Sequence, residues 1–115
     1  MRHETKKICR IVDELTTLFL REDTNEVDFK IKKEQDRTLI QITDYETHLS
    51  DEEIAHLKET LNAQRQYEIE EYYWQLAGET DDEAELTLVG AMIDAATVEK
   101  RAGNLYIELV RLNVR

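Results

Sequence analysis

Proline is absent from this chain, and glycine occurs only three times in 115 residues. That scarcity excludes a loop-rich or disordered polypeptide, which needs turn formers and breakers throughout. There is one cysteine, Cys9, so no internal disulfide can form, which suits a reducing compartment. No apolar stretch approaches the ~18 consecutive residues of a membrane span. The first residues, MRHETKKICRIVDELTTLFL, are interrupted by Glu4, Lys6, Lys7, Arg10, Asp13 and Glu14, so they lack the apolar segment of a signal peptide. The expectation is a cytoplasmic protein that does not engage a membrane. Basic residues are also short: 15 Lys and Arg stand against 26 Asp and Glu, a net charge of −11. Nucleic acid is a polyanion and needs clustered cations, yet the one basic cluster is Lys30, Lys32 and Lys33. Nucleic acid is therefore excluded as a partner, and so is an anionic membrane surface.

What the chain does contain is strong periodicity. Over residues 4–21, Ile8, Ile11, Val12, Leu15, Leu18 and Phe19 recur at spacings of three and four, the stripe of an amphipathic helix. Val27, Phe29 and Ile31 then alternate with Asp28, Lys30 and Lys32, as in a half-buried strand. The polar turn Glu34-Gln35-Asp36-Arg37 leads to a second strand over Thr38–Thr43, and its shortness makes the pair an antiparallel hairpin. Ser50-Asp51-Glu52-Glu53 is a capping box opening a helix that carries Ile54, Leu57 and Leu61. A further helix is expected from Gln66 to Ala77, with Gly78 as its left-handed terminator. Thr80-Asp81-Asp82-Glu83 repeats the capping pattern before a helix expected to bury Leu86, Val89, Met92, Ile93 and Ala96. Strands over Val98–Arg101 and Leu105–Leu112 join at Ala102-Gly103-Asn104. The order α-β-β-α-α-α-β-β predicts an α+β two-layer sandwich with an antiparallel or mixed four-stranded sheet and helices on one face. Residues 1–115 are expected to form one domain, which at this length buries roughly two-thirds of its unfolded surface.

That order, with certain residues, resembles the histidine kinase-like ATPases, the GHKL superfamily that shares the Bergerat fold. Asp13-Glu14-Leu15 lies on the first helix where that family keeps a catalytic Glu, followed four residues on by a magnesium-holding Asn; here position 18 is Leu. Leu39-Ile40-Gln41-Ile42-Thr43-Asp44 is similar to the strand ending in the Asp that reads adenine, but Tyr45-Glu46-Thr47-His48 replaces the glycine-rich turn after it. Glu85-Leu86-Thr87-Leu88-Val89 is similar to the Gly-Leu-Gly-Leu entry to the phosphate-binding helix, with both glycines replaced. Glycines there let backbone N–H groups reach phosphate oxygens, and Glu85 would set negative charge beside a triphosphate. Leu18 removes a ligand from magnesium, whose charge offsets the phosphates. The resemblance thus implies a degenerate member with no catalytic residue, Glu14 and Asp44 being vestigial. No cofactor is expected; the alternative is a protein that binds ATP with magnesium, or a kinase, using Glu14 and Asp44 in unfamiliar geometry.

Other candidate sites have ordinary explanations. His3-Glu4 matches a phosphoacceptor pair but is a commonplace dipeptide at a terminus. His48 and His56, with Asp44, Glu46, Asp51 and Glu52, supply metal-ligating chemistry but not the spacing of ligands on one helical face. Cys9 flanks the apolar stripe and reads as a buried structural thiol. The runs Asp51-Glu52-Glu53 and Asp81-Asp82-Glu83 complement helix dipoles without requiring calcium.

The aromatics of Glu68–Glu79, EIEEYYWQLAGE, exceed what one buried face needs. A helical wheel groups Ile69, Tyr72, Tyr73 and Leu76 on the face toward the sheet. Tyr67, Glu71 and Trp74 fall on another. Either this helix folds inward, as the lid region of the resembling family would, and Trp74 fills the vacant pocket, or Tyr67 and Trp74 form an outward interface, the reading adopted for the site. The functional expectation is a non-catalytic regulatory module acting through an unidentified protein partner or a homodimer.

Overall fold

A computed structural model describes residues 3–76 and 82–113. The chain is α+β. Helix α1 (Glu4–Arg21) leads into strands β1 (Glu26–Lys33) and β2 (Arg37–Tyr45). Three helices follow: α2 (Asp51–Leu61), α3 (Tyr67–Tyr73), which tightens into a 3₁₀ turn at Trp74–Leu76, and α4 (Asp82–Gly90). Strands β3 (Ala95–Arg101) and β4 (Asn104–Leu112) close the order. All three strand pairings are antiparallel, in the spatial order β1-β2-β4-β3. The sequence-derived element order, strand count and sheet type all hold.

The register explains the core. Phe29, Ile42, Ile107 and Val98 stand in one row across the sheet, and Ile31, Ile40, Leu109 and Ala96 in the next. Since strand side chains alternate, one face of every strand turns to the helices and the other does not. Against the inward rows pack Ile8, Ile11, Leu15 and Phe19 of α1, Leu57 and Leu61 of α2, and Val89 of α4. The outward row Lys30, Gln41, Glu108 and Thr97 is polar, with Gln41 Nε2 donating to Glu108 Oε2 at 2.7 Å. This is the division between core and solvent that a one-layer helical cover produces.

Local chemistry sets the boundaries. Ser50 Oγ accepts from Glu53 N at 3.1 Å while Glu53 Oε1 accepts from Ser50 N at 2.9 Å, so the expected capping box forms reciprocally. The β3–β4 turn places Ala102 at φ 51° and Gly103 at φ 85°, the mirror-image turn whose twist matches paired strands. The last helix ends earlier than expected. Met92 and Ile93 are fully buried in the turn after α4, and Ala96 belongs to β3. Gly90 is what permits this close ending: a Cβ there would meet Thr60 O at 2.3 Å, so α4 and α2 touch through bare backbone. Gly78 and the first residues of the second capping pattern, Thr80 and Asp81, lie outside the described residues.

Three side-chain placements correct the sequence reading. Cys9 is exposed, because it follows Ile8 by one residue and so turns 100° off the buried stripe. Trp74 is buried at 8% exposure and belongs to the core cluster, whereas Tyr72, placed inward by the wheel, is 79% exposed. The inward face of α3 is the one carrying Glu70 and, four residues on, Trp74. The reason is electrostatic, and it defines one of the two regions below.

Candidate functional site

Glu70 is a carboxylate at 1% exposure, and three cations surround it. Arg111 donates from Nη1 to Oε1 at 2.9 Å and from Nη2 to Oε2 at 2.8 Å. Arg65 donates from Nε to Oε1 at 3.1 Å, and Lys7 Nζ to Oε2 at 2.9 Å. Arg111, at 0% exposure, also forks onto Glu4 at 2.8 and 2.9 Å and donates to Met92 O at 2.6 Å, which uses its whole donor set. Arg65 reaches Asp94 Oδ2 at 2.8 Å and Leu112 O at 2.9 Å, and Lys7 also meets Glu71. The cluster therefore ties α1, α3, the turn between α4 and β3 (through Met92 and Asp94) and the end of β4 together. Burial pushes the Glu70 carboxyl up, but the hydrogen bonds of Arg111 and Lys7, with the charge of Arg111, outweigh it and hold the group at about 2. Burial likewise raises Glu4, but the Arg111 hydrogen bonds together with the charges of Arg111 and Arg65 outweigh it and leave its pKa lowered. Burial opposes the charge on Arg111, and Glu70 and Glu4 restore it, leaving its pKa raised.

Sequence reasoning passed over this cluster, although two signals mark it. Arg111 continues the inward alternation Leu105, Ile107, Leu109, and Lys7 continues the four-residue stripe leading to Ile11 and Leu15. A charge that keeps an apolar period is buried and must be paired. With Glu70 required inward, Trp74 follows it, and its ring sits 5.3 Å from that of His3. Tyr67 stays 46% exposed, with the Arg65 guanidinium 4.5 Å above its ring. Tyr67 and Trp74 thus do not form one outward surface.

At the opposite end of the helix-facing layer stands Asp44, in a row with Val27 and Leu105. It is 1% exposed, and among the described residues its Oδ1 accepts no hydrogen bond. Glu14 is also buried and faces Arg10, whose Nη1 lies 3.6 Å from Glu14 Oε2. One turn beyond Glu14, Leu18 lines an open groove of about 370 Å³ with Glu22, Leu49, Leu86 and, from α2, Glu52, Glu53, His56 and Leu57. Glu14 and Asp44 are not among its walls, so this groove joins Leu18 to neither of them.

The groove has a hydrocarbon floor, Leu18, Leu49, Leu57 and Leu86, and carboxylates on both sides: Glu22 just past α1, Glu52 and Glu53 in the first turn of α2. A helix N-terminus favours anions, but here Ser50 and the acidic first turn already occupy that role. His48 lies elsewhere, 3.4 Å from Asn25 Nδ2, and no group of three or more His, Cys, Asp or Glu able to hold a metal occurs among the described residues. No described helix is long and apolar enough to cross a membrane.

No protein-family model matches this chain, and neither does any curated protein or solved structure.

Proposed function

We propose that this chain is a non-catalytic regulatory module that binds a segment of another protein, on a scaffold resembling the histidine kinase-like ATPases. The observation that carries the reading is the groove at Leu18. At Leu18, where the resemblance would call for a magnesium ligand, the groove offers leucine side chains, with Glu22, Glu52 and Glu53 among its other walls. Magnesium takes oxygen ligands, and Leu18 supplies none. A triphosphate would face Glu22, Glu52 and Glu53 at close range, which costs affinity. A second copy of this chain carries the same net charge of −11, so a partner of opposite sign fits the rim better than a homodimer does.

The test is a calorimetric titration with magnesium-ATP. It should give no heat down to about millimolar affinity, a binding free energy near about −4 kcal/mol. One observation favours the second reading, an ATP-binding protein. The buried, unpartnered Oδ1 of Asp44 is a spare acceptor of the kind an exocyclic amino group would satisfy. A micromolar constant abolished by Asp44→Asn would establish that reading and remove the first.

A further inference from the structure

We infer that the groove between α1 and α2 receives a cationic amphipathic segment, its apolar side chains on the leucine floor and its Lys or Arg residues on the flanking carboxylates. The inference rests on the protein-binding reading above and names the chemistry of the partner. Three features converge. The floor is apolar, so the occupant must present hydrocarbon, and a groove of about 370 Å³ accommodates side chains rather than a folded surface. The carboxylates come from two separate segments, Glu22 just past α1 and Glu52 and Glu53 in the first turn of α2, so a segment lying along the floor meets negative charge from both. And that charge is not matched by a Lys or Arg within the described residues: none pairs with Glu22, Glu52 or Glu53. The cluster around Glu70 shows how this chain neutralises a carboxylate when its own folding needs it.

An acidic protein attracts any cationic peptide weakly, so the test must separate the groove from the net charge. The probe is an amphipathic helical peptide of Leu and Lys, titrated into the ¹⁵N-labelled full chain at low salt, with a Leu and Glu peptide as its counterpart. The Leu/Lys peptide should shift the amides of Leu18, Glu22, Glu53, His56 and Leu57, and the Leu/Glu peptide should not. Replacing Glu22, Glu52 and Glu53 together by Gln keeps the capping-box acceptor and should weaken binding at least about tenfold. The same change in charge at Glu26, Glu46 and Glu99, exposed residues away from the groove, should alter affinity by less than about twofold.

Equal loss in both triple variants, shifts confined to another surface, or equal binding of the two peptides would overturn the inference. Absence of peptide binding with magnesium-ATP also silent overturns this inference alone. Micromolar magnesium-ATP binding that displaces the peptide would instead remove the protein-binding reading beneath it. Melting curves of both triple variants, expected to match that of the parent chain, show that any loss is not unfolding.

Discussion

The two ends of the sheet's helix-facing layer treat a buried charge in opposite ways. In the row that pairs Thr38 with Arg111, the guanidinium is enclosed at 0% exposure and every donor is used. In the row that pairs Asp44 with Leu105, a carboxyl is enclosed at 1% exposure and one oxygen has no partner. Burial of a charged group is unfavourable in both places; what differs is compensation. At the Arg111 end the chain supplies partners from α1, α3 and the turn between α4 and β3, which fixes where those segments sit. At the Asp44 end it supplies none among the described residues, which leaves an acceptor without a structural use. A fully paired buried charge organises a fold, whereas an unpaired one is a local liability.

The comparison predicts effects of opposite sign. Glu70→Ala should be the most damaging change, destabilising by about 4 kcal/mol, because it strands Arg111, Lys7 and Arg65 in the interior without a shared counter-charge. Denaturant melts measure this directly, and a loss below about 1 kcal/mol would mean the cluster is only decorative. Trp74→Ala should follow, at about 3 kcal/mol, since the ring is part of the core and its removal leaves a cavity beside the same cluster. Sedimentation of that variant should be unchanged; altered association with an unchanged melt would return Trp74 to the role of an interface residue.

Acid should dissolve the contrast. The Glu70 carboxyl moves from an ordinary 4.5 in the unfolded chain to about 2 in the folded one. Its contribution is therefore fully present above about pH 4.5 and is lost as pH falls toward about 2, an effect of about 3 kcal/mol. Glu4, also lowered, adds to the same acid limb. Stability measured across that window should fall steeply in the parent chain and much less in Glu70→Gln. The smallest effect belongs to the other end. Asp44→Ile extends the apolar alternation of Ile40 and Ile42, and should raise stability by about 1 kcal/mol. A clear loss instead would show that the carboxyl has a structural partner.

How far the sequence reading reached follows from where its signals come from. Helix α1 was found with its ends because eighteen residues of strict stripe leave no other period that fits. The boundary after α4 was missed because Met92 and Ile93 are as apolar as a helical continuation requires; the ending depends on Gly90 meeting the backbone of Thr60, a contact between distant segments. The inward face of α3 was misjudged because a wheel ranks residues by hydrophobicity. Glu70 ranks last on that scale until Arg111, Lys7 and Arg65 are brought around it. Of the groove, Leu18 was singled out for the ligand it fails to supply, but its companions Glu22, Leu49 and His56 come from separate segments.

The residue order by itself determined the α+β class, the order of the α-helices and strands seen among the described residues, the hairpins and the capping box of α2, since each depends on neighbours within a few positions. It also determined that the chain is acidic. Only the tertiary structure decided that Trp74 is core, that Arg111 and Glu70 form a buried pair, and that Leu18 faces a groove with carboxylates on both sides. Those facts are non-local: the energy of a buried charge or an apolar floor depends on what the fold brings against it, and Lys7 and Glu70 stand 63 positions apart in the chain.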